Sequence, residues 1–193
     1  MTAARSHLPL GLYDFMAGGD EANVLRYCET LATTEALHFA HYSTFVVAEV
    51  NGVPAAGMCG YFESEHGSIM AGIAEVDQTL GRAQEEIAAG AAKAGSILHV
   101  MPDHGDVHPW IVEHVATKPE FRRQGLVERL IAAQLDLGRQ RGATTADIGV
   151  LIGNDSAQRA YEKCGFAVID EKRHPDFEAA YGCPGVRALR RSI

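Results

Sequence analysis

"EFRRQGLVERLI", residues 120–131, sets two arginines, a glutamine and one glycine between an apolar run and a segment with helical spacing. The run before it, "WIVEHVAT" (residues 110–117), is rich in residues that favour strands. After it, Leu126, Leu130, Ile131, Leu135 and Leu137 recur at helical intervals until Gly142, which predicts a helix over 126–141. A helix N-terminus presents unpaired backbone N–H groups and roughly half a positive charge, so a strand–loop–helix passage suits a phosphate. Gly125 permits close backbone approach, and Arg122 and Arg123 add charge. Read alone, the stretch is equally a turn flanked by solvated arginines. It matches neither GxGxxG nor GxxxxGK[ST].

Working outward, residues 19–40 have helical spacing in their first half, with Asp20 as N-cap. Phe45–Val50 and Val53–Phe62 read as two strands joined by Asn51-Gly52, a strong hairpin signal. Residues 77–94 read as one helix weakened by Gly90, and "MPDHGDVHP" as a polar loop. Strands are predicted at 147–152, 166–171 and 186–189, and a short helix at 156–163. A hairpin followed by strand–helix–strand–helix–strand gives a mixed α/β sheet.

The 193 residues suit a single globular domain. No apolar run approaches the roughly 20 residues that span a bilayer, and the N-terminus reads as no signal peptide. Cys28, Cys59, Cys164 and Cys183 show no CxxC spacing and read as free thiols, so a cytoplasmic protein is expected. A net charge of −8 argues against nucleic acid as a partner. His99, His104, His108 and His114, with Asp103 and Asp106 between them, fit no familiar zinc pattern. No metal is expected, and a polar loop lining a site is the better reading.

Two blocks together carry a resemblance. "VATKPEFRRQGLVERLI" is similar to the acetyl-CoA block of the GCN5-related N-acetyltransferase (GNAT) family, with its [RQ]-x-x-G-x-[GA] signature. "NDSAQRAYEKCGF" is similar to that family's downstream N-x-x-A-x-x-x-Y-x-x-x-G-F block, and the strand "ADIGVLI" lies between the two, as in the family. The resemblance is firm over about 110–170 and extends over 43–193, with an insertion at about 64–109 that covers the acceptor site or makes a dimer contact. Val127 stands where the family has glycine or alanine and crowds the approach to the phosphates. Leu8–Tyr13 is a poor match to the family's first strand.

The resemblance implies an acyl-CoA N-acyltransferase fold, a mostly antiparallel mixed sheet flanked by helices. It implies acetyl-CoA as cosubstrate, a small-molecule amine as acceptor, and a homodimer. Pantetheine resembles a short peptide and would pair with the backbone of Val115, Ala116 and Thr117 near a bulge. The pyrophosphate would sit on the amides of Arg122, Arg123, Gln124, Gly125, Leu126 and Val127. Asn154 and Ser156 would touch the coenzyme or cap the short helix. Tyr161 takes the acid position, serving a thiolate whose conjugate acid has a pKa of about 8.5. For the base, Glu113 ranks first and His114 second, because strict alternation turns only one of them to the site unless a bulge intervenes. His41 and Tyr42 would line the same cleft. A coenzyme sensor without catalysis and a transferase of another acyl group are the alternatives.

Overall fold

A computed structural model describes residues 5–65, 69–104 and 107–193. Asp106, weighed above with the histidines, lies outside them. Six strands form one sheet in the order β1-β2-β3-β4-β6-β5: β1 Phe45–Val50, β2 Val53–Tyr61, β3 Trp110–Thr117, β4 Thr145–Leu151, β5 Ala167–Arg173 and β6 Gly185–Ser192. Only β3 and β4 run parallel. The mixed, mostly antiparallel sheet flanked by helices is the fold the sequence implies.

The β1–β2 hairpin turns at Asn51 (φ 53°) and Gly52 (φ 76°), the paired positive angles of a type I′ turn, which matches the twist of the flanking strands. Helix α5 (Leu126–Gln140) is the crossover from β3 to β4. (Helices are α1 Leu12–Ala17, α2 Glu21–Ala32, α3 Ile69–Thr79, α4 Gln84–Ala94, α5, α6 Asp155–Lys163 and α7 Pro175–Tyr181.) Its buried positions Leu126, Leu130, Ile131, Gln134, Leu135 and Gly138 form one stripe against the sheet. Burying each such leucine contributes about 1.5–3 kcal/mol over leaving it exposed. The helix stops as expected at Gly142: its N–H reaches Arg139 O, while Ala143 N–H reaches back to Gly138 O.

That face of the sheet holds the main core, with Met58, Trp110, Val112, Ile148 and Leu189 beneath α5. The opposite face carries Cys59, Tyr61 and Ile111, packed by Phe39 and Phe45. Beside it lies a helical cluster in which Tyr13 of α1, Val24, Tyr27 and Leu31 of α2, and Val76 of α3 bury one another. The insertion therefore packs on the N-terminal helices. Asp20 caps α2 as predicted, accepting the Asn23 N–H at 3.0 Å.

One sequence expectation is corrected, and two further features lie beyond what was read from the sequence. Residues 77–94 form two helices, because Gly81 turns left-handed (φ 61°) after α3 and Arg82 swings in to Asp77 and the Met16 carbonyl at the end of α1. Residues 8–13 contain no strand; Leu12 and Tyr13 open helix α1. Helix α7, unforeseen, starts behind a cap in which His174 Nδ1 accepts the Asp176 N–H. Among the described residues no helix is long and apolar enough to cross a membrane. All four cysteines are free.

Candidate active site

The site begins where β3 and β4 part. They pair at Trp110–Ala146, Ile111–Asp147 and Val112–Ile148, and no further. Beyond that point β4 stays on β6 and β3 stays on β2, so the β4-facing backbone of residues 113–117 has no strand partner. An extended ligand with amide groups can pair there as another strand would.

A bulge lies in this segment. Glu113 opposes Cys59 and Ala116 opposes Gly57, so β3 fits three steps against two of β2. His114 takes up the difference at φ 55°. Consequently the Glu113 and His114 side chains share one face, with Glu113 Oε2 and His114 Nδ1 4.0 Å apart. The choice posed by strict alternation does not arise, because the bulge brings both residues to the site.

Their environments separate them. Tyr61 donates a hydrogen bond to Glu113 Oε2 at 3.0 Å. Burial pushes the Glu113 carboxyl above its ordinary value, the Tyr61 bond and the His104 charge partly offset this, and Glu63 adds to the rise. The side chain keeps 36% of its surface open. Burial holds His114 down to about 4, so its ring is neutral at pH 7. Its Nε2 lies 2.8 Å from the Tyr13 hydroxyl, and Phe39 and Phe45 pack its faces and edge. His41 bonds Ser43 at 2.7 Å, and Tyr42 is largely exposed.

The loop after β3 exposes its charged residues and leaves backbone amides unpaired. Arg122, Arg123, Gln124 and Gly125 are exposed, and Arg123 (φ 60°) and Gly125 (φ 72°) adopt left-handed backbone. Gly125 caps α5 without a side-chain bond. Among the described residues the amides of Arg123, Gln124, Gly125, Leu126, Val127 and Glu128 donate no hydrogen bond. The amide of Arg122, expected in this set, is instead spent on Pro119 O at 3.3 Å. Val127, expected to crowd the approach to the phosphates, packs partly against the main core.

Across the opening, Asn154 caps α6. Its Oδ1 accepts from the Ala157 amide (3.2 Å) and the Ser156 hydroxyl (3.0 Å), and its Nδ2 donates to Ser6 Oγ at 2.6 Å. The capping alternative is thus present for Asn154, whereas Ser156 lies inside α6 and donates to the capping residue. Tyr161, about two turns on, lies in the same core cluster as Val115 and Val127. Burial raises its phenol above the usual value, and its hydroxyl bonds no described residue. The Thr117 hydroxyl is buried and has no partner among the described residues.

The histidines of the sequence cluster disperse. His104 binds Asp147 at 2.7 Å; Asp147 is buried and also holds Arg190 through both its oxygens. Burial alone would raise Asp147, but Arg190 and His104 outweigh it and keep the carboxyl below its normal value. What the fold assembles instead is His99, His174 and Asp176, whose donor atoms lie within 4.8 Å of one another. The two rings stack 3.9 Å apart rather than converge on a point. Tyr61, Tyr13 and Ser6 are site neighbours that the sequence reading missed. Alternation along Val53–Phe62 could have put Tyr61 on the face of Cys59, but nothing local marks Tyr13 or Ser6.

A sequence model described as the Acetyltransferase (GNAT) family matches residues 15–166. No curated protein matches this chain. Among solved structures, an N-acetyltransferase from Staphylococcus aureus Mu50 superposes with a TM-score of 0.65 at 18% identity, covering 93% of this chain and 89% of that one. A structure described as an acetyltransferase gives 0.63 at 15% identity, covering 96% and 86%. A GNAT family acetyltransferase from Elizabethkingia anophelis, solved with acetyl-CoA bound, gives 0.51 at 13% identity, covering 94% and 90%. At these identities the likeness is one of fold.

Proposed function

This chain belongs to the acetyltransferase (GNAT) family, whose cosubstrate is acetyl-CoA, and we propose that it transfers the acetyl group to the primary amine of a small molecule by direct attack. The observation that carries this reading is the run of unpaired amides from Arg123 to Glu128, directly after a strand whose outer edge is open. The amides and the α5 N-terminus take the pyrophosphate, with Arg122 and Arg123 adding charge. The pantetheine amides pair with the backbone of Val115, Ala116 and Thr117. Asn154 and Ser156 border that path. We read the whole chain as one acetyltransferase unit with its core at about 43–193, acting in the cytoplasm as a homodimer.

The chemistry then needs the nitrogen to lose two protons and the leaving sulfur to gain one. An alkylammonium, with a pKa of about 10.4, must lose a proton before it attacks. Glu113 takes it, through water; a carboxylate raised by burial is a better base than an ordinary one. His114, held near 4, is too weak a base at neutral pH and leaves that role to Glu113. The amine nitrogen bonds to the thioester carbon, its second proton passes to water, the carbon–sulfur bond breaks, and the sulfur leaves as thiolate. Tyr161 faces it as a neutral phenol, because burial opposes its ionisation. Its raised pKa suits a hydrogen bond to the sulfur, with the full proton arriving later from solvent.

Calorimetric titration of acetyl-CoA, followed by thiol release across a panel of primary amines, tests the proposal. Binding with amine-dependent thiol release is expected. Absence of binding refutes it. Binding with no release for any amine makes the protein a coenzyme sensor, and release only with longer acyl donors makes it a transferase of another acyl group. A lone monomer in light scattering refutes the dimer.

A further inference from the structure

We infer that Tyr13 is a positioning residue for the acetyl transfer: its hydroxyl, bonded to His114 Nε2, holds the β3 bulge that sets Glu113 and His114 side by side. The inference rests on the assignment of Glu113 as base made above. A non-glycine residue in left-handed backbone costs about 1–2 kcal/mol, and it persists only where its surroundings over-determine it. His114 sits at φ 55°. On an unbulged strand its side chain would point to the α5 face. Here the ring lies instead among Tyr13, Phe39 and Phe45, with centroids 5.8, 5.6 and 6.1 Å away.

Among these neighbours Tyr13 supplies the directional contact. The Tyr13 hydroxyl lies 2.8 Å from His114 Nε2, and among the described residues it has no other hydrogen-bond partner. Burial keeps the phenol protonated and the imidazole neutral. With the phenol as donor, Nε2 accepts and the ring proton resides on Nδ1. That N–H points toward Cys59 Sγ (3.6 Å) and Glu113 Oε2 (4.0 Å). A donor dipole so placed favours the charged carboxylate, the form that accepts a proton. With the hydroxyl gone, the other tautomer turns a lone pair toward Glu113 and disfavours that form. The remaining groups facing Glu113 are Tyr61 and Cys59 from β2, Glu63 after β2, and His104 before β3. Tyr13 is itself fixed through α1, where Asp14 holds the Arg5 guanidinium and the Gly11 amide.

Tyr13→Phe keeps the ring and removes the hydroxyl. With acetyl-CoA and the best amine of the panel, we expect kcat to fall roughly tenfold, a loss the size of one neutral hydrogen bond. The KM for acetyl-CoA stays unchanged, and the acid limb of the pH profile moves to higher pH. Added to His114→Ala, the same change costs nothing further, because Tyr13 acts through His114. An equal loss in both backgrounds, or an unmoved profile, overturns the inference. If the wild type releases no thiol with any amine, the acetyl-transfer reading falls, and Tyr13 is judged by nitrogen-15 spectra of His114. A shift from the Nδ1–H to the Nε2–H tautomer in Tyr13→Phe upholds its hold on the ring; an unchanged tautomer overturns it.

Discussion

Replacing Gly125 by aspartate and, separately, by asparagine tests the anion seat with backbone strain held constant. Both side chains tolerate left-handed backbone better than most, and they share a shape. A Cβ at this position meets only the Glu128 carboxylate at 3.9 Å, so neither variant clashes. Each should lose about 1 kcal/mol of stability from the backbone angle, or roughly 2–4 °C in Tm for a chain of this size. The helix dipole favours aspartate and the nearby Glu128 carboxylate opposes it, so the two variants should be of similar stability. Binding should separate them. A carboxylate about 6 Å from a phosphate charge costs about 0.7 kcal/mol at the dielectric of water and about 3 kcal/mol at an effective value near 20. Acetyl-CoA should therefore bind the aspartate variant roughly three- to a hundredfold more weakly than the asparagine variant by calorimetry at low salt. The gap should narrow as salt screens it. Equal affinities at low salt would refute the placement of the pyrophosphate on this loop.

Three further outcomes follow from the same geometry. Glu113→Gln should lower kcat about a hundredfold or more while leaving acetyl-CoA affinity within about twofold, read by thiol release and calorimetry; an active variant removes Glu113 as base. His114 is depressed to about 4 in the folded protein, against about 6.5 unfolded. The unfolded chain thus binds the proton first, and stability falls as pH drops from about 6.5 toward 4, by up to about 3 kcal/mol. Denaturant unfolding should show a shallower loss for His114→Gln over that range, and identical slopes would contradict it. Asp147→Ala removes the carboxylate that holds the partly buried Arg190 and should cost about 1–3 kcal/mol, measured as a lower denaturant midpoint. A loss under about 1 kcal/mol would mean that the Asp147–Arg190 pair is screened by solvent.

The local elements were legible because local rules govern them. Asn51-Gly52 demands positive φ, and the structure has it at both residues. Leu126 to Leu135 repeats at the helical period and Gly142 ends it, so α5 follows from spacing. The failures have equally physical causes. The helix expected over 77–94 divides because Arg82 finds better partners in Asp77 and the end of α1, a contact between segments distant in sequence. Helix α1 is too short for a periodicity signal and is held by the Arg5–Asp14 pair and by packing on α4. The amide of Arg122 was counted into the anion seat because spacing does not reveal the turn that ties it to Pro119.

The sequence by itself determined the family, the sheet-forming segments and the position of the loop, since each depends on residues close together in the chain. Only the tertiary structure decided what surrounds Glu113. The register of β2 against β3 created the bulge, and the bulge turned His114 to the face it would otherwise avoid. Tyr61 and Tyr13, 52 and 101 residues away in sequence, then met that pair. Proton affinities at the site depend on burial and on such distant partners, and burial is a property of the packed molecule that no short stretch of residues carries.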